Sequence, residues 1–286
     1  MTQGAKTILI VLAAVAGIAA LYVAPKESST KKVKSEDATT MAATSGFNFD
    51  SFVAGAKARL QPGDIVKLEK FTVFTAPADY DSAAAIWDNA GLPGIGASFF
   101  EKKAKTDNTE KSYLNAAYRY FDGFKMARDS MERAYFVDKS IENYKKVIEL
   151  NPDNLNAKTD LGVCYAEGTS NPMQGIALLR EVIQKDPNHE NAQLNLGFLS
   201  VKSGQYEKAL ERFNTVLKNN PARIDAYVFM GQTYIQMGLK NKPIESFETF
   251  KSLSDNDKAI TEIDSYLKEL KGTPWLFKPF LYICSP

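Results

Sequence analysis

Between residues 151 and 255 the apolar positions recur with a fixed step. Leu161, Leu196 and Met230 each precede a glycine, at Gly162, Gly197 and Gly231, and Tyr165, Ser200 and Tyr234 stand three residues after those glycines. The glycines are 35 and 34 residues apart, and a second series at Gly168, Gly204 and Gly238 keeps step. Gly175, Ala209 and Pro243 share one small site, followed four residues later by Leu179, Phe213 and Phe247, and Pro152, Pro187 and Pro221 separate successive periods. One extra residue within 167–174 accounts for the longer step. Each period predicts two amphipathic helices joined by a tight turn.

The glycines need a reason, because Gly inside a helix costs about 1 kcal/mol relative to Ala. A close helix crossing supplies it for Gly162, Gly197 and Gly231, where a larger side chain would force the two helices apart. Gly204 and Gly238 are placed to end the first helix of their periods in the left-handed conformation. Asn220-Pro221 cannot continue a helix and marks the step to the next period.

This pattern resembles the tetratricopeptide repeat, whose signature is Leu-Gly-x-x-Tyr on a first helix, Ala-x-x-x-Phe on a second and then Pro. Here the signature reads Leu196, Gly197, Ala209, Phe213 and Pro221, with Ser200 in place of the Tyr, and the following period restores Gly231 and Tyr234. The resemblance covers residues 155–255. It implies an all-α, right-handed α-solenoid of helical hairpins with a concave groove lined by the first helices. Carried over residue by residue, the groove sites are Asn156, Thr159, Asp160 and Val163, then Asn191, Leu194, Asn195 and Phe198, then Asp225, Val228, Phe229 and Gln232. The family's two-carboxylate clamp for chaperone C-termini needs Lys-Asn, Asn and Lys-Arg at these sites; the chain has Thr159 and Val163, Asn195, then Asp225 and Phe229, so only the Asn matches. In place of that ligand, Asn195 and Gln232 could hydrogen-bond a bound backbone while Leu194, Phe198, Val228 and Phe229 bury apolar side chains. Packing of Phe198 and Phe229 between neighbouring hairpins is the other reading of the same residues.

Ahead of the repeats, residues 47–150 read as further helices. Phe49, Phe52, Val53, Ala56 and Leu60 recur at helical spacing, and Pro62-Gly63-Asp64 opens a segment with Ile65, Leu68 and Phe71, although residues 71–74 carry strand-forming types. Residues 81–89 and 93–105 form a hairpin around Gly91-Leu92-Pro93, and residues 110–131 and 135–150 a second one that fits the repeat only if it is longer than usual. After the repeats, residues 256–271 form an amphipathic capping helix, with Ile260, Ile263, Tyr266, Leu267 and Leu270 on one face. Residues 272–286 form a mostly large, apolar tail that could cover the last helices or fill the groove.

At the other end, residues 7–24 are eighteen positions without a charge, about 27 Å as a helix, which just crosses a bilayer core of about 30 Å. We expect residues 1–24 to be a single retained transmembrane anchor rather than a cleaved signal, since cleavage after Ala24 would require Tyr22 where a small residue is wanted. The Ser-, Thr- and Lys-rich residues 25–46 are a flexible linker. Lys26, Lys31, Lys32 and Lys34 after the segment argue for cytoplasmic repeats. The layout of a short leader before a long polar domain argues for the outer, periplasmic side of the inner membrane, which is the expectation adopted.

Composition narrows the function. A net charge of +1 gives no general attraction to nucleic acid. The sole histidine, His189, lies in a loop without a nucleophile or metal motif, Cys164 reads as a buried thiol, and no phosphate-binding or metalloprotease motif is present. No cofactor, metal or small-molecule substrate is expected. An enzyme would have to work with Asp79, Asp81, Glu101, Glu110 or tyrosines in residues 47–129. The expected function is a membrane-tethered scaffold that binds a protein or peptide partner in assembling an envelope complex. The alternatives are a chaperone-like holder of exported chains, an enzyme with its site in 47–129, and a self-assembling rod.

Overall fold

The computed structural model describes residues 46–71 and 76–272. Among them there are thirteen α-helices and no strand. The proposed anchor in 1–24, the linker up to residue 45, residues 72–75 and the apolar tail from 273 lie outside the described residues. No helix among the described residues is long and apolar enough to cross a membrane.

The chain divides into two compact units, with the boundary between Lys185 and Asp186. The sequence pattern put its boundary at 150/151, so the division falls inside the repeat series.

The first unit contains α1 (Phe49–Ala56), a 3-10 turn (Lys57–Arg59), α2 (Pro62–Lys70), α3 (Pro77–Asn89), α4 (Pro93–Asp107), α5 (Glu110–Met126), α6 (Ser130–Leu150), α7 (Leu155–Gly168) and α8 (Pro172–Lys185). From α3 onward each helix packs on the next. Asn48, Thr109, Asp129 and Asn154 start α1, α5, α6 and α7 by accepting a hydrogen bond from an otherwise unpaired amide of the first turn. The central core joins Tyr120, Phe136, Tyr144 and Val147 to Leu161 and Cys164. A second cluster holds Trp87 and Ile95 against Ala56 and Leu60, with Ile65, Leu68 and Phe71 of the α2 segment half-buried on it.

The second unit contains α9 (Glu190–Lys202), α10 (Tyr206–Asn219), α11 (Asp225–Gln236), α12 (Asn241–Leu253) and α13 (Asp257–Gly272). Leu194, Phe213, Phe229 and Met230 form one core cluster. Phe247 and Phe250 form another with Ile263, Tyr266 and Leu267 of α13, which thereby covers the last hairpin.

Within each hairpin the expected crossing is present. A Cβ at Gly162 would come 3.0 Å from Leu179, one at Gly197 2.4 Å from Phe213 and one at Gly231 2.7 Å from Phe247. Gly204 and Gly238 close their turns with φ of +75° and +73°. Gly168 departs from its series. It is the last residue of α7, because the extra residue of this period lengthens the helix, and its missing side chain makes room for Val137 of α6, which a Cβ would meet at 2.2 Å.

The α5–α6 hairpin is the long one. Its helices have 17 and 21 residues against 13 and 14 in α9–α10, with three-residue turns in both. The base of each hairpin is locked alike. Glu110, first in α5, accepts from Asn151 Nδ2 at 3.1 Å and Asn154 Nδ2 at 2.6 Å. Glu190, first in α9, accepts from Asn220 Nδ2 at 2.8 Å and Arg223 Nη1 at 2.9 Å. Since the bases match, the surplus of four and seven residues lies at the tip, around residues 123–136, and there Tyr135 and Phe136 stack against Phe49 and Phe52 of α1.

Candidate protein-binding face

The expected groove residues sort by burial into two groups. In the first unit Asn156 is exposed and Asp160 half-buried on α7, whereas Thr159 is fully buried and returns its hydroxyl to Leu155 O at 2.8 Å. In the second unit Asn191 is exposed and Asn195, Phe198, Val228 and Gln232 are half-buried. Leu194 and Phe229, 3% and 2% exposed, are core residues.

Four of the expected contact residues are therefore corrected. Thr159, Leu194 and Phe229 turn between helices, where burial against the adjacent helix outweighs presentation to solvent, so they offer a partner no surface. Phe229 meets Phe198 edge to face at 4.6 Å and Phe213 at 5.7 Å, which is the packing reading of the two phenylalanines. Asp225 is 8% exposed and holds Arg223 in a two-point pair, Nε to Oδ1 and Nη2 to Oδ2, each 3.2 Å. Its charge is spent on the lock at the hairpin base.

What remains accessible is amide-rich. Asn195 donates Nδ2 to Asn191 O at 2.7 Å, a bond that fixes its rotamer and leaves the carbonyl oxygen for another donor. Phe198 on α9 and Val228 on α11 are half-buried as well, packed on the Phe213 and Phe247 clusters respectively, so the accessible residues of the second unit are amides and apolar edges.

On the first unit the accessible face has a different character. Asp160 accepts hydrogen bonds from the hydroxyls of Tyr118 and Tyr144. Burial pushes its carboxyl up to about 6, against those bonds and the charge of Lys125, which pull it down. Tyr118, 40% exposed, stands edge-on to the buried Tyr144 at 5.8 Å, and Lys125 lies 4.4 Å over the ring of Phe121. The tyrosines on α5 and α6 that hold Asp160 were not among the expected site residues, because the longer hairpin breaks the numerical register that located the others.

The carboxylates considered for catalysis are all engaged. Asp79 closes the start of α3 by accepting from Ala76 N, Asp81 pairs with Lys103 at 2.7 Å, and Glu110 locks α5 to the α6–α7 turn. Burial tends to raise the Glu101 carboxyl, but hydrogen bonds from Lys105 and Tyr120 and the nearby Lys139 outweigh it and hold the group below its usual range. His189 is the start of α9, its Nδ1 accepting from Ala192 N at 3.2 Å. Cys164 is fully buried against Ser140 Oγ at 3.4 Å, and burial pushes its thiol up, which makes it a poor nucleophile. Among the described residues no group of His, Cys, Asp and Glu is arranged to hold a metal.

Comparison with known proteins agrees with the hairpin geometry. Tetratricopeptide repeat models match residues 171–227 and 224–261. These stretches of the chain are tetratricopeptide repeats. Among curated proteins, the chain is 28% identical over 134 residues to the RNA polymerase-associated protein CTR9 of Saccharomyces cerevisiae, covering 46% of this chain and 12% of that protein. It is 22% identical over 153 residues to the human mitochondrial import receptor subunit TOM70, covering 50% of this chain and 25% of that protein. The chain thus spans a quarter or less of the length of these relatives. Among solved structures, a tetratricopeptide repeat protein from Parabacteroides merdae superposes with a TM-score of 0.54 over 77% of this chain and 80% of that one, at 14% identity. That likeness is one of fold.

Proposed function

We propose that the protein is a non-catalytic scaffold that binds a segment of another protein on the first-helix faces of the second unit, those of α9 and α11. The observation that carries this reading is the division of labour on those helices. One side of each is consumed by the crossing glycines and aromatic core. Asn191, Asn195 and Phe198 on α9, and Val228 and Gln232 on α11, stay accessible on another side, and in the first unit Asn156 and Asp160 do so on α7. Amides beside apolar edges suit an extended or helical segment, with backbone hydrogen bonds from Asn195 and Gln232 and side chains against Phe198 and Val228. The names of the curated relatives, an import receptor subunit and a polymerase-associated protein, describe association with other macromolecules and support the same class of role. No catalytic step is assigned, since Asp79, Asp81, Glu101 and Glu110 serve as a cap, ion pairs and a lock.

The apolar residues 7–24 would tether the scaffold to the inner membrane, with the repeats on the periplasmic side and an envelope complex as the assembly served. Site-specific photocrosslinking in intact membranes tests both parts. A crosslinker at Asn195 or Gln232 should capture one defined protein, and one at Glu207 or Glu211 on the opposite helix should capture none. Capture of many unfolded chains would point instead to a holder, and equal capture from both faces would remove the groove. Extraction of the protein by alkaline carbonate would count against the tether.

A further inference from the structure

One cavity takes no part in the scaffold role. It lies wholly in the first unit and measures about 330 Å³, within the size range of small-molecule clefts. Three elements enclose it: α1 with its 3-10 turn, the α3–α4 turn, and the lengthened tip of the α5–α6 hairpin. Gly55 and Gly91 leave room in its lining, a Cβ at Gly55 meeting nothing within 4 Å, whereas Gly94 and Gly123, which also line it, are closely packed against Phe136 and each other.

The walls are mixed, with an apolar part. Leu92, Ile95 and Phe136 are nearly fully buried beneath it, Phe52 is half-buried, and Met126 stands at the mouth 57% exposed. An exposed methionine at the mouth of an apolar cavity is a soft, adaptable contact for a ligand.

The charged lining is unbalanced. It comprises Arg59, Arg128 and Glu132, two positive charges against one negative, a net of +1. Glu132 is 7% exposed and one of its oxygens is taken by the Arg128 amide at 3.0 Å. Arg59 reaches only the Ala90 carbonyl, at 3.4 Å. Among the described residues the arginine ion pairs are those of Arg119 and Arg223, so neither guanidinium at the cavity has a carboxylate partner. Guanidinium groups prefer planar, two-oxygen anions, and both arginines, exposed at the surface, belong to the lining of this partly apolar cavity.

We infer that this cavity is a binding site for a small apolar carboxylate, with its apolar body on Phe52, Ile95, Met126 and Phe136 and its carboxylate held by Arg59 and Arg128. The inference does not depend on the protein-binding face, which lies on other residues.

The test uses the full chain in lipid nanodiscs with [13C-methyl]methionine, the Met126 signal being assigned from Met126→Leu. Titration with 2-naphthoate should shift the Met126 methyl resonance in a saturable way. The neutral 2-naphthalenemethanol and the cation 2-naphthylmethylammonium should bind at least tenfold more weakly. Arg59→Gln combined with Arg128→Gln should lower naphthoate affinity about tenfold. Gly55→Phe should abolish the shift while keeping the fold, because Gly55 is helical and a Cβ there meets nothing within 4 Å. Equal affinity for the carboxylate and the alcohol, unchanged affinity in the double arginine variant, or full binding by Gly55→Phe would each overturn the assignment.

Discussion

At the scale of single residues, the crossing glycines carry the tightest constraint. Gly197→Ala would set a methyl 2.4 Å from the Phe213 ring, so the roughly 1 kcal/mol gained in helix propensity is outweighed by an overpacking cost of about 1–3 kcal/mol. Urea unfolding should show a net loss, part of which Phe213→Leu in the same chain restores. Asp160 gives a second residue-scale prediction. Folding raises its pKa from 3.8 to about 6, so between those values the native chain keeps a proton that the unfolded chain has released. The stability contributed by this group is full below pH 4 and falls as the pH rises through 6. Asp160→Asn keeps an acceptor for Tyr118 and Tyr144 but cannot ionise. Its stability relative to the parent should therefore improve from pH 4 to pH 7 in paired urea titrations. His189 is a modest case of the same kind: His189→Ala should cost about 1 kcal/mol, and His189→Asn should recover most of it.

At the scale of helices and hairpins, the sequence made the crossings and the turns legible, because both depend on residue types that tolerate no substitute. A hydrogen at Gly197 and a positive φ at Gly204 leave marks in the one-dimensional pattern. Gly168 shows the limit: it belongs to the same series, yet one inserted residue converts it from a turn into a contact with Val137. The groove list was half legible for a related reason. Periodicity places Leu194 and Phe229 on the first helix, but which flank of the helix meets its neighbour depends on crossing angles that spacing does not encode. The hairpin locks were not read at all, since Glu110 and Glu190 meet partners between 30 and 44 residues away. They now yield a prediction. Glu190→Ala leaves Asn220 Nδ2 without its acceptor and strips Arg223 of one of its two carboxylate partners, and should destabilise the α9–α11 region by about 1–3 kcal/mol in hydrogen-exchange or urea measurements, whereas Glu207→Ala on an exposed face should change little.

At the scale of the whole molecule, every core cluster lies on one side of the Lys185/Asp186 boundary. A fragment covering residues 186–272 contains both of its clusters and the α13 cover, so it should fold alone, with helical circular dichroism and a cooperative urea transition. The lengthened α5–α6 hairpin has a consequence for how this chain could be taken apart. Its surplus of four residues in one helix and seven in the other comes close to one and two whole turns, at 3.6 residues each. Excising that surplus would shorten both rods while turning the first by only about 40° and the second by about 20°, trimming the hairpin to ordinary stature while its foot stays bolted by Glu110. The tip under α1 is thus a detachable balcony, and pruning it separates whatever the balcony shelters from whatever the first-helix faces grip.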